Sequence, residues 1–163
     1  MVFPGKDPQK KDNTFVQTSE THKQIQEEMW MLQKALPYLF DEGEKSYNNA
    51  REAIVFIKDI VITHFEWEER NVFPVALVIG DLKIKQIVRD LQKQHIDAMA
   101  RFDVIRDLAL KHGFSFPDEN TKSKFVDTMK EMIEIVLQNA RLEDEALYPF
   151  LKEKKPDLTF KAQ

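Results

Sequence analysis

Cysteine is absent from this chain of 163 residues. That single absence excludes a disulfide framework, a thiolate zinc site, an iron–sulfur cluster and a cysteine nucleophile. Glycine is scarce, with four residues, and no stretch reads as a series of β-hairpins, so long helices joined by short turns are expected. No apolar run approaches the roughly 18 residues of a membrane span. The segment Met1 to Asn13 is polar, holds Pro4, Gly5 and Pro8, and lacks the apolar block of a secretory signal. An excess of basic charge is also missing. The formal net charge is -4 and the lysines are scattered among acids, which argues against a nucleic-acid partner. The short Lys152-Glu153-Lys154-Lys155 cluster reads as a solvated helix end, where cations are favoured. These absences lead to the expectation of a cytoplasmic protein with neither membrane nor nucleic acid as a partner.

What is present is the material of a globular domain. Hydrophobic residues at 42 % and charged residues at 32 % place the chain outside the disordered class, and its length suits one buried core. Four apolar stripes step by three or four residues, as inward-facing helix seams do. The first runs through Phe15, Thr18, His22, Ile25, Met29, Leu32 and Leu36. The second takes Ala53, Ile57, Ile60, Val61, His64 and Glu68. The third takes Ile84, Ile87, Leu91, His95, Ala98, Phe102 and Ile105. The fourth runs Phe125, Met129, Met132, Val136, Asn139, Glu143, Leu147 and Phe150. Breaks lie at Pro37, at Asp41-Glu42-Gly43 with Ser46 as a helix cap, at Pro74, at Gly80-Asp81, at His112-Gly113, at Pro117-Asp118, at Pro149 and at Pro156. The reading is an all-α, antiparallel up-down-up-down four-helix bundle over 15–153, with a flexible N-terminal arm over 1–14 and a C-terminal tail over 154–163. Trp30 and Trp67 flank the seams and are expected to pack.

Each seam carries polar groups where apolar ones belong: His22 on the first, His64 and Glu68 on the second, His95 on the third, Asn139 and Glu143 on the fourth. One inward histidine is ordinarily a hydrogen-bonded core residue. A buried carboxylate is costly unless it is paired or binds a metal, and polar intrusions on all four seams require a joint cause. Residues of an antiparallel hairpin lie at equal height when they are equidistant from the turn. The midpoint of 22 and 64 is Gly43, that of 64 and 95 falls beside Gly80, and that of 95 and 139 is Pro117. All three are turn signals, so His22, His64, His95 and Asn139 should share one level of the bundle. Residues four apart share a helix face, which aligns His64 with Glu68 and Asn139 with Glu143. Imidazoles with carboxylates suit iron, manganese or zinc. A carboxylate from each of two helices can bridge two ions.

Other metal and hydrolytic classes fit less well. A ferritin-like oxidase needs Glu-x-x-His on two helices, but Val61 and Gln92 stand three residues before His64 and His95. The His-Glu-x-x-His of zinc proteases is absent, and no serine sits in a turn motif near a histidine. A purely structural or cytokine-like bundle calls for apolar residues at positions 22, 64, 68, 95 and 143, where none stands.

The segment His64-Phe65-Glu66-Trp67-Glu68-Glu69-Arg70-Asn71-Val72-Phe73-Pro74 resembles the signature of hemerythrin-like domains of the HHE cation-binding type. It is echoed without gaps by Asn139-Ala140-Arg141-Leu142-Glu143-Asp144-Glu145-Ala146-Leu147-Tyr148-Pro149. The resemblance spans residues 15–153 and includes single histidines early in the first helix and in the third, which His22 and His95 match. It implies a non-haem di-iron centre in which His22 and His64 hold one iron, His95 helps hold the other, and Glu68 and Glu143 bridge. It further implies roles in carrying or sensing dioxygen or in sensing iron; the expectation for this chain is metal binding with dioxygen, redox or iron sensing and no catalytic residue. Asn139 departs from the pattern, because a helix-four histidine is expected there. An amide oxygen is a weak ligand, so the site is expected to be tight at the His22/His64 side and weak at the His95/Asn139 side. Asp144 and Glu145 fall on other faces of an ideal helix and are not expected to compensate. The competing expectation is a bundle whose site has decayed and which serves as a structural or interaction module.

Overall fold

The computed structural model of the protein describes residues 14–40, 43–113 and 115–158. Among them there are helices and no strands. Helix α1 spans Thr14–Ala35, and Pro37 turns the chain in a 3-10 segment at Leu36–Tyr38. Helix α2 covers Gly43–Phe56. The expected cap at Ser46 is therefore corrected: the helix starts three residues earlier, and Gly43 belongs to it. A wider π-helical turn at Ile57–Ile62 carries the same axis into α3, Thr63–Asn71. Pro74 sits in the first turn of a short α4, Phe73–Ile79, where its missing N–H breaks no bond. The long α5 spans Leu82–His112 and α6 spans Glu119–Leu142. A second π-helical turn, Glu143–Leu147, leads into α7, Tyr148–Lys154, with Pro149 in its first turn. Residues 1–13 and 159–163, which hold most of the expected arm and half of the expected tail, lie outside the described residues.

The turns arise from local chemistry. The Asp81 carboxylate accepts the Ile84 N–H at 2.9 Å and Asp118 accepts that of Thr121 at 2.7 Å, each satisfying an otherwise orphaned helix donor. Gly113 closes α5 in the left-handed region at φ 57°, which a residue without a Cβ adopts at no steric cost. Gly80 is constrained by proximity instead. A Cβ there would stand 2.5 Å from the Ala76 carbonyl oxygen and 2.6 Å from Ile84 Cγ2. Gly80→Ala is expected to cost about 1–3 kcal/mol, the range for forced overpacking, read as a lower urea midpoint with an unchanged m-value.

The four stripes meet in the interior, but the core is not continuous. One apolar cluster gathers Ile25, Met29, Ile57, Val61, Ala98, Phe102, Ile105, Phe125 and Met129. The other gathers Trp67, Val72, Phe73, Ala76, Leu91, Leu147, Tyr148 and Leu151. His22, His64, Glu68, His95 and Glu143, each 0–1 % exposed, lie between them as a polar layer. Some seam details differ from the ideal stripes. Val88 and Tyr148 are buried while Ile87 and Phe150 are only half-buried. The stripes drift around real helices, and the second π turn rotates α7 relative to α6. Trp67 packs in the core, whereas Trp30 is 58 % exposed, with the Lys34 ammonium 3.7 Å over its ring.

Candidate metal centre

The histidine ring nitrogens converge. His22 Nε2 and His64 Nε2 are 2.9 Å apart, on α1 and α3. His22 Nε2 lies 3.6 Å from Glu68 Oε1 and 3.1 Å from Glu143 Oε2, and His64 Nε2 lies 3.2 Å from Glu68 Oε1. One donor atom from each of His22, His64, Glu68 and Glu143 falls within 4.8 Å of all the others. On the opposite side, His95 Nε2 from α5 faces Glu68 Oε2 at 3.5 Å and Glu143 Oε1 at 3.9 Å. Each carboxylate thus turns one oxygen toward the His22/His64 side and the other toward His95.

Asn139 is buried as expected, but it does not face the others as a donor of the same kind. Its Nδ2 donates to Gln94 Oε1 at 3.2 Å, across to α5. The His95 side therefore offers one imidazole and two carboxylate oxygens.

The cluster fits a cation. Four buried atoms lack a hydrogen-bond partner among the described residues: Glu68 Oε2, His95 Nε2 and both oxygens of Glu143. Burial alone would hold such acceptors at a high free-energy cost; a shared cation would satisfy them together. The electrostatics carry the same signature. Burial pushes the Glu143 carboxyl up to about 8, and the neighbouring Glu68 charge adds to that shift. Burial also acts against a charged His22, but the nearby Asp144, Glu143 and Glu68 carboxylates outweigh it and raise its pKa to about 12. For Glu68, burial is outweighed by His64 and the surrounding histidines, which hold the carboxyl well below its usual range. His64 is likewise raised, since Glu68 outweighs its burial. Without a metal, the layer holds protons where a cation would hold its charge.

The surroundings fix the rings. Tyr148 Oη donates to Glu68 Oε1 at 2.8 Å. The His95 ring is stacked between Phe65, at 4.0 Å between centroids, and Phe73, at 5.2 Å. His22 meets the edge of Tyr148 at 5.4 Å. Two carboxylates not anticipated as part of the site complete it: Asp144 accepts His22 Nδ1–H at 2.6 Å, and Glu69 accepts His95 Nδ1–H at 3.0 Å. Asp144 lies on another face than Glu143, as expected, and does not replace the missing histidine on the His95 side; its carboxylate meets the outer nitrogen of His22 instead. The signal was in the sequence: aligning the two motifs sets Glu69 over Asp144 as directly as Glu68 over Glu143.

The family model described as the hemerythrin HHE cation binding domain matches residues 17–151. No curated protein and no solved structure matches the chain.

Proposed function

The chain belongs to the hemerythrin HHE cation-binding domain family, and on that premise we propose that it is a non-haem iron-binding protein whose site is unequal in its two halves. The observation that carries this reading is the set of four buried donors within 4.8 Å, flanked by a fifth that approaches only the far oxygens of the two carboxylates. His22, His64, Glu68 and Glu143 would hold the first ion. His95, with the second oxygens of Glu68 and Glu143 and the weak amide of Asn139, would hold another less tightly. Nitrogen and carboxylate donors together suit iron, manganese or zinc, and the resemblance to di-iron members of the family selects iron among them. Bound iron supplies one-electron exchange between its ferrous and ferric states.

The chain's own residues set the conditions for that exchange. Two apolar clusters keep bulk water from the layer, Tyr148 holds one Glu68 oxygen in place, and the protons on His22 and Glu143 leave when a cation enters. These are the properties of a binding and sensing site for iron, redox state or dioxygen, and they assign no catalytic step. Carriage of dioxygen, which draws on two well-held irons, is the least supported of these roles, because the His95 side lacks a second imidazole.

Ferrous iron titrated anaerobically into metal-free protein tests the reading. One equivalent is expected to bind at least tenfold more tightly than a second, and His22→Ala or His64→Ala is expected to remove the tight equivalent. Two equally tight equivalents would overturn the inequality. Absence of binding, with a melting temperature indifferent to chelators, would leave the bundle as an interaction module.

A further inference from the structure

The two halves of the layer are built on one plan. Glu68 on α3 is followed by Glu69, and Glu143 at the second π-helical turn is followed by Asp144. The first acid of each pair points into the layer and is fully buried. The second turns away and accepts the Nδ1–H of a histidine on a neighbouring helix: Asp144 from His22 on α1, Glu69 from His95 on α5. Each outer acid is also clamped by a glutamine of the helix that carries its histidine. Gln26 Nε2 donates to Asp144 Oδ2 at 3.2 Å, and Gln92 Nε2 donates to Glu69 Oε2 at 2.9 Å. These outer carboxylates are only partly sheltered, with side chains 42 % and 35 % exposed.

We propose that Asp144 and Glu69 are paired positioning residues, each fixing the tautomer and aim of one histidine, so that Asp144 tunes the His22/His64 half of the centre and Glu69 tunes the His95 half. A carboxylate can only accept here, so a proton stays on Nδ1, and Nε2 is the nitrogen left aimed into the layer to meet a cation. The same contact stops rotation about the ring's last torsion, the role outer-shell acids play at metal-bound histidines. A core role alone does not explain the arrangement, since solvent reaches both acids and a hydrogen bond there adds little to folding. Adjacent helical residues are about 100° apart, which lets Glu143 and Asp144 meet the two nitrogens of His22 as Glu68 and Glu69 meet those of His95.

This inference rests on the iron-binding reading, and the test separates the two. Ferrous iron affinity is measured for the full chain by competition with a chelator, alongside the nitrogen-15 spectrum of the metal-free histidine rings. Asp144→Asn is expected to weaken the first equivalent 10- to 100-fold and leave the second unchanged relative to wild type. Glu69→Gln is expected to weaken only the second. Asp144→Glu should recover part of the loss. In each amide variant the Nδ1–H signal of the matching ring should move as its hydrogen bond to a carboxylate is lost, while the melting temperature of the metal-free protein shifts by no more than about 2 °C. Unchanged iron affinity with an unchanged Nδ1–H signal would overturn the positioning role, as would equal loss in both halves from either variant. A wild-type protein that binds no iron would remove the reading beneath it.

Discussion

Glu143→Gln is expected to make the metal-free protein more stable at alkaline pH and to abolish tight iron binding at the same time. Both Glu143 oxygens are buried without a hydrogen bond, beside a second carboxylate. The neutral amide has nearly the same shape and carries no charge to desolvate. The expected gain is about 1–2 kcal/mol, within the range for replacing buried charge, or roughly 2–8 °C for a domain of this size.

The pH dependence carries the sign. The Glu143 carboxyl is raised from 4.5 to about 8, so its contribution is fully present below 4.5 and is lost as pH rises through about 8. His22 is raised from 6.5 to about 12, so its contribution too is complete below 6.5 and declines toward 12. Glu68, lowered from 4.5, has its contribution in place above that value and loses it only on acidification. Stability of the metal-free wild type should therefore fall from about pH 4.5 toward about pH 12, and the variant should lose the part of that fall that lies between 4.5 and about 8. Thermal melts in chelator at several pH values measure both slopes. Identical slopes would show that Glu143 does not hold the proton.

Iron should reverse this penalty. Saturating the tight site at a thousand times its dissociation constant is worth about 4 kcal/mol, or roughly 8–16 °C at this chain length. The ion must displace protons from His22 and Glu143, so the gain should shrink as pH is lowered. Asn139→His extends the expectation to the second half. Asn139 is buried on α6, one helical turn before Glu143, and reaches toward α5. An imidazole there would give the His95 side a second nitrogen donor. The variant should bind two tight equivalents where the wild type binds one, and its melting temperature should climb through the second equivalent instead of levelling after the first. Elemental analysis of the loaded variant after desalting checks the count. A single retained ion would mean that helix spacing, and not Asn139, limits the second half.

Legibility differed between the fold and the site. Helix limits could be read wherever one residue acts on its own backbone: Gly113 at positive φ, Asp81 and Asp118 as caps, and Pro74 and Pro149 in first turns. Ser46 misled because a capping residue type is also acceptable inside a helix, and α2 already runs from Gly43. The shared level of His22, His64 and His95 came from hairpin arithmetic, since short turns make sequence distance a measure of height. The partners of Asp144 and Glu69 were not legible, because a helix period gives the face a residue occupies and not which neighbouring helix stands against that face. Trp30 was misplaced because a residue at the seam's edge can lie on either side of it.

By itself, the sequence determined the four amphipathic stripes, their turns and the polar residues interrupting each seam, because periodicity and turn chemistry are local properties of a chain. Tertiary structure decided which oxygen of Glu68 and Glu143 faces which histidine, that Asn139 spends its amide on Gln94, and that Asp144 and Glu69 stand behind His22 and His95. Those contacts join residues up to 122 positions apart. Their distances depend on helix packing and on two π-helical turns, and a tilt of one side chain by an ångström decides between a ligand, a hydrogen-bond partner and a bystander.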